Sequence, residues 1–125
     1  MKTILVVDDE FDLTGTLRAI LEGEGYRVET CADGRAAIEC AEASRPDLIL
    51  MDVMMPVMSG FEALHAIRRT PEFDGVPVVL MSSVLLGVRR EDYRWQAFLG
   101  KPFSLEDLLK TVEQHIGTAG PAPGG

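Results

Sequence analysis

Acidic, hydroxyl and ammonium side chains follow four of the five apolar, strand-like runs of this chain. The first run ends on Asp8 and Asp9, the third on Asp52, the fourth on Ser82 and the fifth on Lys101. Carboxylates that lie close together repel, and one of them takes up a proton unless a cation lies beside it. An oxygen-only ligand set suits Mg²⁺, whose open coordination positions can take a phosphoryl oxygen. The residue types therefore indicate phosphoryl chemistry, with Mg²⁺ as the cofactor and one carboxylate as the nucleophile.

Each of these residues taken alone has a simpler interpretation. A carboxylate at a strand end, such as Asp52, is as readily a turn residue or a cap for the following helix. Three acids, a hydroxyl and a cation at four strand ends form a much more specific pattern than any one of them. Whether these side chains meet depends on the elements that carry them.

Five strand-like runs alternate with helical patterns along the chain. The predicted strands are Thr3–Val7, Tyr26–Cys31, Leu48–Met51, Val76–Met81 and Ala97–Gly100. Strands that alternate with helices imply an α/β fold, in which helices cover both faces of a parallel sheet. For five such units the common solution is the flavodoxin-like, doubly wound sheet of strand order 2-1-3-4-5. Its crevice lies between the carboxyl ends of the first and third strands, where the acids are expected to meet.

The helices are predicted from apolar spacing and from capping residues. Phe11, Leu13, Leu17, Ile20 and Leu21 recur at helical spacing in the first helix, and Leu105, Leu108, Leu109, Val112 and Ile116 do so in the last. Ser59 with Glu62, and Ser104 with Asp107, have the spacing of helix N-caps. Both helices that follow these serines are therefore expected to begin there.

The helix between the fourth and fifth strands is expected to be shortened or irregular. Gly87 interrupts residues 84–95, and Arg89, Arg90 and Arg94 charge the same segment. Trp95, at the end of the segment, could either pack over it or contact a partner protein.

Composition limits the class of protein. The 125 residues, 46% of them hydrophobic, predict one domain at residues 1–117 and a flexible Gly/Pro-rich tail at 118–125. The net charge of −8 disfavours direct binding to nucleic acid and favours divalent cations or basic protein surfaces. No run reaches the roughly 18 apolar residues of a membrane-spanning helix. Cys31 and Cys40 fit no metal-ligand spacing and indicate a reducing, cytoplasmic location.

A set of short motifs resembles a known family. The motifs are Val-Val-Asp-Asp-Glu at 6–10, Met-Asp-Val-Met-Met-Pro at 51–56, Ser-Gly at 59–60, Ser82 after an apolar run and Lys-Pro-Phe at 101–103. Together, over about residues 3–116, they look like the receiver domain of two-component response regulators, of the chemotaxis-regulator type. The family usually has an acid where Ser59 stands, and a capping serine does the same local work.

The resemblance implies a function for the acids. Asp52 would accept a phosphoryl group from a sensor histidine kinase or a histidine phosphotransfer protein. Asp9 and Asp52 would bind Mg²⁺ directly together with the Met54 carbonyl, whereas Asp8 would act mainly through water.

The resemblance also implies a switch. Lys101 would pair with the phosphoryl group, Ser82 would follow that group inward, and Phe98 would rotate into the space that Ser82 leaves. The Lys101–Pro102 peptide bond is often cis in this family. The output would be a changed protein-interaction surface, whose partner the sequence does not name, and pairing with a second copy of the chain stays open.

Two other functions compete with this interpretation. An aspartyl-phosphate phosphatase would use Asp52 as its nucleophile, but it needs an acid two positions further on, where Met54 stands. A phosphorylation-independent interaction module would be expected to lack part of the acid cluster or the lysine, and none is missing. In the favoured interpretation the chain is not a conventional enzyme, since it would catalyse only its own phosphorylation and dephosphorylation at Asp52.

Overall fold

The computed structural model describes residues 1–55, 58–83 and 95–117. The strands are β1 (Thr3–Val7), β2 (Arg27–Cys31), β3 (Leu48–Asp52), β4 (Val78–Ser82) and β5 (Ala97–Gly100). The helices are α1 (Phe11–Gly23), α2 (Ala37–Ser44), α3 (Gly60–Arg68), a 3₁₀ turn at Pro71–Phe73, and the C-terminal helix (Leu105–Ile116). The predicted helix between β4 and β5, and the predicted tail, fall on residues outside these ranges.

The five strands form one parallel sheet in the order β2-β1-β3-β4-β5, which confirms the predicted flavodoxin-like fold. The register aligns their carboxyl ends: Val7 pairs with Met51, Asp52 with Met81, and Ser82 with Gly100. Residues that follow β1, β3 and β5 therefore project from the same edge of the sheet.

Alternate residues of the buried strands face two separate apolar layers. One layer joins Leu5, Val7, Ile49, Met51, Val78 and Leu80 to α2 and α3. The other joins Ile4, Val6, Leu48, Leu50, Val79 and Met81 to α1 and the C-terminal helix. Both faces of the central strands are covered, which explains why those strands are apolar without alternation.

The predicted helix faces are correct in the middle of each helix and wrong at the first residue. Leu17, Leu21, Leu108 and Val112 are buried. Phe11 is 88% exposed and Leu105 is 53% exposed, although both were predicted on the inner faces. Each begins its helix just beyond the carboxyl end of a strand, where the sheet no longer lies beneath the first turn.

Both predicted capping serines act as caps. Ser59 Oγ accepts a hydrogen bond from the Glu62 N–H at 3.2 Å, and Ser104 Oγ accepts one from the Asp107 N–H at 3.0 Å. No helix in the described part of the chain is long and apolar enough to cross a membrane.

A buried arginine holds the start of β5. Arg68, at the end of α3, donates to the carbonyl oxygens of Phe73 and Asp74 and, at 2.8 Å, to Gln96 Oε1. Gln96 Oε1 also accepts from the Val78 N–H at 2.7 Å. This network ties α3 and β4 to the strand that leads into Lys101.

Candidate functional site

Three of the predicted site residues meet at the carboxyl edge of the sheet. Asp8 and Asp52 are buried at 1% and 3% exposure. Lys101 Nζ lies 3.0 Å from Asp8 Oδ2 and 3.5 Å from Asp52 Oδ2. The first, third and fifth strands thus contribute two carboxylates and one ammonium group to a single cluster.

The structure adds a residue that sequence reasoning missed. Glu10 Oε1 lies 3.1 Å from Lys101 Nζ, and one carboxylate oxygen each from Asp8, Glu10 and Asp52 lies within 4.8 Å of the other two. Asp9, predicted as a direct metal ligand, is exposed and is not one of these three. The signal that could have found Glu10 is the acidic run at 8–10, because Glu10 directly follows the two acids predicted to lie at the site.

Backbone hydrogen bonds fix the ends of β3 and β4 at this cluster. The Met54 N–H donates to Asp52 Oδ1 at 3.2 Å, which places the β3–α3 loop against the carboxylate. Ser82 is buried at the end of β4, and its carbonyl oxygen accepts from the Lys101 N–H at 2.7 Å. The Lys101–Pro102 peptide bond is cis, as the resemblance implied.

A cavity of about 440 Å³ opens over the cluster. Its wall includes Asp52, Lys101, Glu10 and the apolar side chains of Leu13, Met54 and Phe103. Asp52 is therefore buried within the fold and still reached from outside. A phosphoryl group and a neighbouring ligand fit a space of this size, and the ammonium is placed to pair with added negative charge.

Burial raises the pKa of Asp52 above its ordinary value, and the charge of Asp8 raises it further. The hydrogen bond from the Met54 backbone and the charge of Lys101 oppose these effects without cancelling them. Ionised Asp52 is therefore under-compensated, which favours the arrival of another cation.

Burial by itself would lower the pKa of Lys101, but hydrogen bonds to Asp8 and Glu10 outweigh burial and raise the pKa. The ammonium is thus held in its charged form. It supplies a fixed positive charge at the cluster across the ordinary pH range.

Close backbone packing sets the position of Asp52. The Gly60 N–H donates to the Val53 carbonyl oxygen at 2.9 Å. A Cβ atom at position 60 would lie 2.8 Å from Val53 Cα and nearer still to the Asp52 carbonyl oxygen. Only glycine lets the first turn of α3 sit against the end of β3.

Phe98 in β5 and Trp95 just before β5 pack against the apolar layer that contains α2 and α3. Phe98 and Trp95 are half-buried, and their ring centroids are 6.4 Å apart. Trp95 therefore packs in part on the core, and its packing over the preceding segment or against a partner protein stays a prediction. Residues 84–94 of the segment predicted to form a shortened or irregular helix lie outside the described residues.

Known proteins resemble this chain in sequence. The family model described as the response regulator receiver domain matches residues 4–113. The response regulator MprA of Mycolicibacterium vanbaalenii is 39% identical over 109 residues, covering 85% of this chain and 46% of that protein. The chain thus spans about half the length of this curated relative.

Solved structures agree over nearly the whole chain. The chemotaxis protein CheY4 of Vibrio cholerae superposes with a TM-score of 0.87 at 35% identity, covering 92% of this chain and 98% of that one. The receiver domain of a Pseudomonas aeruginosa sensor histidine kinase gives 0.84 at 33% identity, covering 94% and 98%. That second structure has a magnesium ion coordinated in its active-site cleft.

Gly60→Ala is expected to destabilise the domain by about 1–3 kcal/mol, because the added methyl group overpacks the backbone of Asp52 and Val53. Gly15→Ala is the matched control, since nothing lies within 4 Å of a Cβ at that helical position. It should stabilise the domain by about 0.5–1 kcal/mol. Urea unfolding measures both, and equal effects of the same sign would contradict the packing argument.

Asp52→Asn is expected to raise the free energy of unfolding of the metal-free domain at neutral pH. The pKa of Asp52 is higher in the folded state, so its stabilising contribution is complete below the unfolded pKa of about 3.9 and is lost as pH rises through the folded value. Asparagine cannot ionise, so the advantage of the variant should shrink on acidification.

Urea unfolding in the presence of a chelator, across this pH range, measures the difference. Glu42→Gln, an exposed acid on α2, is the control for a simple change of net charge. A variant less stable than the parent at neutral pH, or an advantage that grows on acidification, would contradict the assignment.

Proposed function

Because the chain belongs to the response regulator receiver domain family of two-component signalling, we propose that Asp52 is its phosphoacceptor. The donor is the phosphohistidine of a sensor histidine kinase or a histidine phosphotransfer protein. One observation carries the proposal: Asp52 is a buried carboxylate that opens onto a cavity, with the Lys101 ammonium 3.5 Å from its Oδ2 atom.

The transfer uses few groups. An Asp52 carboxylate oxygen attacks phosphorus, the bond from phosphorus to the imidazole nitrogen breaks, and the imidazole leaves with the electron pair. The product is an acyl phosphate. Lys101 lies where its positive charge stabilises the negative charge that collects on the phosphoryl oxygens. Attack by water on phosphorus later restores the carboxylate and releases inorganic phosphate.

The chain's acids fit a magnesium ion. Carboxylate oxygens of Asp8, Glu10 and Asp52 converge, no His or Cys ligand accompanies them among the described residues, and ionised Asp52 is under-compensated. The ion would neutralise the carboxylates and hold a phosphoryl oxygen when bound. The resemblance favours Asp9, Asp52 and the Met54 carbonyl as direct ligands, with Asp8 acting through water. The Pseudomonas aeruginosa receiver domain supports a metal in this cleft.

Phosphorylation changes the surface that the domain presents. A phosphoryl group brings about −1.5 to −2 charges and three strong acceptors to the end of β3. The Ser82 hydroxyl and the Lys101 ammonium are the donors proposed to move towards it. Phe98, half-buried two residues before the end of β5, is the ring proposed to refill the space. The partner that reads this change is an output protein.

The competing functions are less well supported. A phosphatase of the phosphoaspartate type needs a second acid two positions after its nucleophile, and Met54, which is 60% exposed, stands at that position. A phosphorylation-independent module has no need to bury two carboxylates beside an ammonium. The domain therefore acts as a switch that catalyses its own phosphorylation and dephosphorylation.

Phosphorylation is expected at Asp52 and nowhere else. After incubation with acetyl phosphate and Mg²⁺, intact-mass spectrometry should show the gain of one phosphoryl group in the parent and none in Asp52→Asn. Asp12→Asn, which alters an exposed acid at the start of α1, should be modified like the parent. An unmodified parent, or an Asp52→Asn protein modified to the same extent, would overturn the proposal.

Magnesium affinity should depend on Asp9 more than on Glu10. Asp9→Asn removes a proposed direct ligand and should weaken Mg²⁺ binding by about tenfold or more. Glu10→Gln should retain affinity to within a few-fold. Isothermal titration calorimetry measures both, with Glu42→Gln as the charge control. The reverse ranking would assign the metal to the three carboxylates that converge in this structure.

A further inference from the structure

Glu10 makes a contact that the proposed transfer does not use. It stands at the N-cap of α1, where a side chain usually accepts a hydrogen bond from the helix backbone. The Glu10 side chain makes no such cap, and its Oε1 instead lies 3.1 Å from Lys101 Nζ. Its backbone N–H donates to Asp8 Oδ1 at 2.9 Å, which fixes the turn between β1 and α1. The turn thus directs Glu10 towards the ammonium.

The two short contacts of Lys101 differ in exposure. The Asp8 side chain is 0% exposed, whereas the Glu10 side chain is 61% exposed. Breaking the contact to Asp8 would leave a buried carboxylate without its counter-ion, which is strongly unfavourable. Breaking the contact to Glu10 returns a carboxylate to water, and exposed pairs of this kind contribute little. Glu10 is therefore the partner that Lys101 can exchange.

A phosphoryl group on Asp52 would compete for the same ammonium. An ammonium has three N–H donors, and in the resting arrangement the short contacts go to Asp8 and Glu10. Asp52 Oδ2 is farther away, at 3.5 Å. We expect that a movement of Lys101 towards phosphoryl oxygens on Asp52 lengthens its contact to Glu10. A ligand that binds one of two arrangements better shifts the population towards it.

We propose that Glu10 is a positioning residue that holds Lys101 in the resting arrangement and competes with the phosphoryl group on Asp52 for the ammonium. This inference rests on the proposed function. Pairing of the Lys101 ammonium with the phosphoryl oxygens is favourable. Glu10 sets how much of that free energy is needed to break the resting contact. The equilibrium between resting and active arrangements depends on this exposed side chain, which touches neither phosphorus nor the attacking oxygen.

The test is a double-mutant cycle on beryllofluoride binding at saturating Mg²⁺, measured by calorimetry. Glu10→Gln should lower the Kd for beryllofluoride by about two- to fivefold, the value of an exposed ion pair. In a Lys101→Ala background the same substitution should have no effect. Asp12→Asn removes an equal charge from an exposed position two residues further on, and it should leave the Kd unchanged.

The results distinguish a failure of the proposed function from a failure of the inference about Glu10. If the parent does not bind beryllofluoride, the proposed function is overturned and this inference with it. If the parent binds but Glu10→Gln leaves the Kd unchanged, Glu10 does not compete. If Asp12→Asn, or Glu10→Gln without Lys101, tightens binding equally, the effect is one of net charge alone.

A metal-free measurement tests the contact directly. The ¹⁵N–¹H signal of the Lys101 ammonium, recorded by NMR with a chelator present, should shift in Glu10→Gln and stay in place in Asp12→Asn. An unchanged signal in Glu10→Gln would mean that the contact is not populated in solution, and would overturn the proposal whatever the binding data show.

Discussion

Asp8 and Asp52 are buried beside each other at the ends of neighbouring strands, and the Lys101 ammonium lies against both. Two carboxylates held this close inside a protein repel strongly, and one ammonium compensates them incompletely. The raised pKa of Asp52 records that imbalance. The fold therefore maintains a site whose resting charge is unfavourable, and stability in the apolar layers offsets it. A bound cation relieves this repulsion, so a cation is the ligand that such a site favours.

Much of this site could be predicted from the order of residue types. Apolar runs separated by helical patterns require a parallel sheet, and parallel strands bring their carboxyl ends to one edge. The first polar residues after β1, β3 and β5 had to lie near one another, and Asp8, Asp52 and Lys101 do. The roles proposed for them rest on chemistry and on the family to which the chain belongs, because spacing alone does not distinguish a phosphoacceptor from a metal ligand.

The remainder depends on side-chain direction, which one-dimensional spacing does not specify. Glu10 turns back to Lys101 because its own backbone is fixed by Asp8, a contact visible only in three dimensions. Phe11 has the right helical spacing for the core, yet the sheet ends before reaching it. Arginine at the end of a helix is usually exposed. Arg68 is instead buried, because it donates hydrogen bonds to the Phe73 carbonyl oxygen and to Gln96. Tertiary neighbours thus decide the direction of Glu10 and Arg68, and the lack of one leaves Phe11 exposed.

The cluster joins residues 93 positions apart, since Asp8 leaves the first strand and Lys101 the last. During synthesis from the N-terminus, both buried acids exist long before their counter-ion does. A nascent or truncated chain that stops before β5 can form β1 and β3, but it holds Asp8 and Asp52 without the cation that compensates them. Pairing of distant segments is also the slow part of folding. Completion of the last strand is therefore the step that places a positive charge beside the two buried acids.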